Sequence, residues 1–157
     1  MTKTLRSGVR IATAISAVCL AASGGNVQAA PAARPVTATV NSALQWGPCP
    51  SIFPAGCQIA VLNGDPAKPN ADVFLRVPGG YTIPPHSHTS PERIVLVEGQ
   101  LVVRYQGSPA EDLTPGEYAY GPAGLAHVAT CKGAAPCTLF IAFESAVDAI
   151  AFKGSLK

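Results

Sequence analysis

Apolar residues in this chain fall in short β-type runs broken by Gly and Pro, at Gln58–Leu62, Asp72–Val77, Arg93–Val97, Leu101–Gln106, Glu117–Tyr120, His127–Thr130 and Thr138–Glu144. Residues two apart on an extended chain share a face, so each run predicts a strand with one side turned inward. Helical spacing is confined to Ser145–Phe152. Many short strands with frequent turn signals predict an all-β barrel or sandwich. Glu98-Gly99-Gln100 reads as a tight turn joining two of the runs into a hairpin, with Gly99 supplying a positive φ. Asp65–Asn70 is a proline-stiffened loop between two apolar runs, and there is no internal repeat.

The N-terminus follows a different rule. Lys3, Arg6 and Arg10 precede an apolar run from Ile11 to Ala22, and Val27-Gln28-Ala29 ends it with a small-residue cleavage pattern. Residues 1–30 therefore read as a signal peptide, since the run is well short of the roughly 20 residues that a membrane span needs. Cys19 follows Ala17-Val18, whereas a lipid-anchor motif wants a small residue immediately before its Cys. No stable membrane anchor is expected after cleavage. Residues 31–45 carry small and polar residues and read as a flexible leader, and the domain is expected at 46–157. At 157 residues the chain predicts one core and one site.

Removing Lys3, Arg6 and Arg10 from the 11 Lys and Arg leaves 8 against 9 Asp and Glu, so the mature chain is near neutral. It has no basic run or aromatic-interleaved basic patch, which argues against nucleic acid and anionic membrane surfaces as partners. Cys49, Cys57, Cys131 and Cys137 make an even set in a chain expected to be periplasmic or extracellular, where disulfides form. Three connectivities are open; the local one, Cys49 with Cys57 and Cys131 with Cys137, closes two short loops. Free buried thiols are the plain alternative. The spacing is too wide for a zinc knuckle or ribbon.

The chemistry-bearing residues cluster. His86 and His88 are two apart, and Glu92 keeps their parity if the chain stays extended, so three ligand-type side chains can converge on one face. His127 follows Pro122-Ala-Gly124 on a separate strand, and a barrel interior would bring the two strands face to face. Three imidazoles and a carboxylate suit Fe, Mn, Ni, Cu or Zn better than Mg or Ca.

With these residues in view the sequence resembles the cupin superfamily. Gly80, His86, His88, Glu92 and Gly99 match its first motif without a gap; Gly116, Pro122, Gly124 and His127 match its second, where Cys131 replaces a closing Asn. The resemblance covers Ala71 to Phe143. It implies a six-to-eight-stranded jelly-roll barrel, one divalent transition metal held in its mouth by His86, His88, Glu92 and His127, and a possible homodimer. Each residue alone has a plainer reading: exposed strand histidines, a solvated carboxylate or a hydrogen-bonded core histidine.

Arg76, on the apolar strand before the first motif, could point inward to hold an anionic substrate, or lie outside with its stem packed. Tyr81, Tyr105, Tyr118, Tyr120, Phe140 and Phe143 are candidates to line a pocket, although strand aromatics more often pack in cores. Trp46 is expected to anchor the N-terminal segment. The loop between Cys131 and Cys137 is either a structural staple or a redox-sensitive rim to the pocket. Two functions from different classes follow. One is a small mononuclear metalloenzyme, oxygenase or oxidoreductase in type, acting on a small organic molecule with Glu92 as a possible base. The other is a non-catalytic metal- or ligand-binding protein of the envelope. Cupin isomerases and lyases share this size, and a bicupin storage protein is disfavoured because the chain holds one motif pair.

Overall fold

Glu92, Ile94 and Leu96 turn inward along Glu92–Glu98 while Arg93, Val95 and Val97 stay partly exposed, and the same two-residue alternation recurs along His127–Cys131. The computed structural model describes residues 44–157. Eleven strands are present: β1 (Trp46–Pro48), β2 (Gln58–Asn63), β3 (Ala71–Val77), β4 (Thr82–Ser87), β5 (Glu92–Glu98), β6 (Leu101–Tyr105), β7 (Ala110–Leu113), β8 (Tyr118–Gly121), β9 (His127–Cys131), β10 (Cys137–Phe143) and β11 (Ile150–Ala151). They form two antiparallel sheets, one in the order β1-β2-β3-β10-β5-β8 and the other β11-β4-β9-β6-β7. No strand pairing joins the two sheets among the described residues. Their inner faces share one hydrocarbon core, with Val73, Leu75, Leu96, Leu139 and Ile141 from the first sheet meeting Ile83, Leu101, Val103 and Ala129 from the second.

The expected hairpin at Gly99 is a passage between sheets. β5 pairs with β10 and β8, whereas β6 pairs with β9 and β7. Gly99 has φ 91°, and a Cβ there would stand 2.5 Å from the Pro136 carbonyl oxygen and 2.8 Å from Cys137 Sγ. Gly99→Ala is therefore expected to cost about 3 kcal/mol of stability, from the left-handed backbone and the contact together. Urea denaturation reads this, and a loss below about 0.5 kcal/mol, the level of an ordinary surface change, would contradict it. The loop at Asp65–Asn70 does close a hairpin, since β2 pairs with β3.

Two corrections concern strands. Ser145–Phe152 is extended, not helical: Ile150 and Ala151 pair with Ser87 and His86, Val147 N–H donates to the Pro66 carbonyl, and Phe152 N–H to the Pro85 carbonyl. So short a segment gains little from a helix of its own, and the edge of β4 supplies its backbone partners instead. β4 itself was hidden by Pro84-Pro85. The prolines sit at a bulge, where the register steps from Ile83↔Ala129 to His86↔His127, three residues on β4 against two on β9. The extra residue turns both Ile83 and His86 inward.

The sulfurs of Cys49 and Cys57, and of Cys131 and Cys137, stand at disulfide distance, which is the local connectivity and accords with an oxidising compartment. Cys131 lies four residues beyond His127 on β9, so the second pair staples the far end of the core and is not a rim to the site. The segment assigned to a signal peptide lies outside the described residues. No described helix is long and apolar enough to cross a membrane.

Candidate metal centre

His86 and His127 are register partners on adjacent strands of one sheet, with ring centroids 4.2 Å apart. His88, just past the end of β4, completes the group with centroids 4.8 Å from His86 and 5.4 Å from His127. One nitrogen of each imidazole can be chosen so that all three lie within 4.8 Å of one another. All three residues are buried.

Glu92 arrives by a route the extended-chain argument did not foresee. Between His88 and Glu92 the chain crosses from one sheet to the other, so the carboxylate faces the imidazoles instead of sharing their strand face. The crossing is fixed by Ser90, fully buried, whose Oγ accepts hydrogen bonds from the Glu144 and Ser145 amides, both at 2.9 Å. Glu92 Oε1 then lies 3.1 Å from His127 Nε2, and Oε2 lies 3.4 Å from His88 Nε2. His86 and His127 are likewise neighbours within a sheet and not residues of facing strands.

The outward nitrogens are anchored on backbone. His86 Nδ1 is 2.7 Å from the Pro84 carbonyl oxygen, His127 Nδ1 is 3.4 Å from that of Leu125, and His88 Nδ1 meets that of Asp148. A carbonyl only accepts, so these contacts put the imidazole proton on Nδ1 and leave Nε2 as a lone pair. Asp148 is itself held, its carboxylate accepting from Thr89 N–H at 2.9 Å and Thr89 Oγ at 2.7 Å.

Burial sets the charges. It lowers His86 to about 4, helped by His88, and His127 to about 3, helped by His86 and His88; His88 is also lowered, again mainly by burial. Burial pushes Glu92 up to about 8. The two Glu92–His contacts are therefore not ion pairs, because the imidazoles are neutral at ordinary pH. Glu92 Oε1 has no hydrogen-bond partner. Nitrogen lone pairs and a carboxylate oxygen facing one another in a dry pocket require a proton or a cation among them, and this donor set fits a borderline transition-metal ion.

Gly121 was missed by the sequence reading. It is the register partner of Glu92, and a Cβ there would stand 2.7 Å from Glu92 Cγ and 2.8 Å from Oε1, so only glycine leaves the carboxylate its place. Phe53, from the loop between Cys49 and Cys57, was also missed. Its ring stands edge-on to His86 at 4.9 Å and lines the cavity.

Most of the proposed pocket aromatics lie elsewhere. Tyr118 and Tyr120 are exposed, because the parity of β8 turns Ala119 inward in their place. Phe140 packs edge-on with Phe74, away from the cavity. Tyr81 packs on the core and donates its hydroxyl to the Pro54 carbonyl at 2.6 Å. Arg76 donates to Gln58 Oε1 at 2.9 Å and lies 4.1 Å over the Trp46 ring, so it does not enter the cavity and Trp46 is tied to β3. Tyr105 does approach, its ring 5.1 Å from that of His127 and its buried hydroxyl without a partner; burial and Glu92 push its phenol above the usual range. Phe143 lines the cavity against His88 at 5.4 Å.

A family model described as a cupin domain matches residues 73–143. The chain carries a cupin domain. Solved structures agree on the fold. The DMSP lyase DddQ from Ruegeria pomeroyi DSS-3 superposes with a TM-score of 0.62 at 19% identity, covering 71% of this chain and 64% of that one. An oxalate oxidase gives 0.55 at 20% identity over 67% and 59% of the two chains. An RmlC-like cupin from Shewanella frigidimarina gives 0.51 at 23% over 59% and 78%. The chain thus spans less than two thirds of the DMSP lyases it resembles, 63% and 64% of their lengths. No curated protein matches it in sequence. At these identities the likeness is one of fold, and cupins whose names differ as lyase and oxidase leave the reaction to be argued from the site.

Proposed function

We propose that this cupin is an exported metalloenzyme that holds one divalent transition metal through His86, His88, Glu92 and His127 and acts on a small organic molecule bound beside it. The observation that supports this is the convergence of three buried neutral imidazoles and a buried carboxylate whose Oε1 lacks a hydrogen-bond partner, in a cavity whose other walls are nearly all hydrocarbon. A core histidine kept only for packing has no need of two more imidazoles and a carboxylate around its free nitrogen.

When bound, a metal such as iron, manganese, nickel, copper or zinc would supply Lewis acidity toward one polar end of a substrate, and iron, manganese or copper would add redox chemistry. The chain's own part is to fix each imidazole through its Nδ1 partner, to keep water out, and to offer the buried Glu92 carboxylate, 3.1 Å from His127 Nε2, as a ligand and proton acceptor. An oxygenase or oxidoreductase is the favoured reaction class. Export is supported by the basic and apolar pattern of residues 3–29 and by the two cysteine pairs.

Elemental analysis of protein purified from its native compartment tests the site, with a single transition-metal ion per chain as the expected result. Oxygen uptake by the iron-loaded protein with small phenolic, diketone or thiol compounds tests the reaction class. A chain that retains no metal after reconstitution overturns the site. A chain that binds only zinc and takes up no oxygen overturns the oxidoreductase reading.

A further inference from the structure

The cavity that faces the four groups is small, about 50 Å3, and its wall is chemically simple. Apart from His86, His88, Glu92, His127 and Asp148, every lining residue is apolar, among them Phe53, Leu75, Ile94, Leu139, Ile141 and Phe143. No Lys, Arg, Ser, Thr, Asn, Gln or Tyr lines it among the described residues. Three cations on or beside the sheets are engaged elsewhere: Arg76 with Gln58 and Trp46, Arg93 with Glu144, Lys132 with Asp112. Asp148 already accepts two hydrogen bonds from Thr89.

From this wall, and resting on the metal reading above, we infer the substrate class: a small molecule with one metal-binding head, at most singly negative, and a hydrocarbon remainder. The charge count decides it. A divalent ion with ionised Glu92 and three neutral imidazoles carries one net positive charge, which one monovalent head neutralises. A second negative charge on the same molecule would be buried against a wall with no cation to meet it and with the Asp148 carboxylate already on it, and such burial is expensive. A polyhydroxylated molecule fails for a related reason, because only the Asp148 carboxylate on the wall outside the four candidate ligands could partner its hydroxyls. A hydrocarbon tail is stabilised by the same surface.

The test uses the full chain loaded with cobalt(II), whose visible spectrum reports exogenous ligands, titrated with acetate, butyrate and succinate. Butyrate is expected to bind about tenfold more tightly than acetate, from two added methylenes. Succinate, which replaces the butyrate methyl by a second carboxylate, is expected to bind at least tenfold more weakly than butyrate. Equal affinity for acetate and butyrate, or succinate as tight as butyrate, overturns the inference while leaving the metal site standing. Failure to take up cobalt overturns the metal reading, and the inference falls with it.

Discussion

His127→Ala is expected to lower zinc or cobalt affinity on the order of 100-fold, as if roughly a quarter of a four-ligand binding energy were removed. The loss follows from geometry. His127 is the register partner of His86, and its Nε2 is the nitrogen nearest Glu92 Oε1, at 3.1 Å. Isothermal titration with zinc reads the affinity, and circular dichroism checks that the sheets persist. Full retention of metal by a folded variant would mean that the centre is assigned to the wrong residues.

Without metal, the stability of the protein relative to its Glu92→Gln variant is expected to fall between pH 6.5 and 8. Glu92 binds its proton more tightly folded, near 8, than unfolded, near 4.5, so its contribution is whole below 4.5 and is lost as pH rises through 8. His86 and His127 run the other way. Their folded values, about 4 and about 3, lie below 6.5, so their contribution is complete about one pH unit above 6.5 and disappears as pH falls through the folded values. The imidazole contributions, which still grow by about 0.4 kcal/mol each above 6.5, are common to both proteins, so the difference isolates the carboxyl and falls by about 2 kcal/mol. Urea midpoints in the presence of a chelator, at both pH values, measure it. A wild type that runs parallel to the Gln variant across this window would show that Glu92 ionises as readily folded as unfolded. The same titration predicts that metal uptake near neutral pH expels a proton from Glu92.

Much of the site was legible because its spacing is a property of the chain. His86, His88, Glu92 and His127 could be picked out by residue type and interval, and the inward parity of β5 and β9 follows from alternation. The route by which they meet was not legible. Pro84-Pro85 reads as a strand breaker, yet it makes the bulge that aims His86. The turn at Gly99 is locally indistinguishable from a hairpin, because whether the next strand stays in the sheet is decided by partners distant in sequence, β10 and β9. Aromatic residues on β8 could have faced either way, and only the register with Glu92 at Gly121 fixes Tyr118 and Tyr120 outward. Arg76 was readable as an inward cation or a packed one, and Trp46 together with Gln58 determines the second.

The extended segment after β10 carries an implication for the order of assembly. The Glu144 and Ser145 amides hold the Ser90 crossing, the Asp148 carbonyl orients His88, and Ile150 pairs beside His86 at Ser87. A chain ending at Phe143 would still possess all four candidate side chains, but not the backbone that orients one ring and fixes the crossing to Glu92. The centre is thus finished by a segment that follows all four of its side chains in the sequence, so translation delivers the ligands first and the backbone that orients them afterwards.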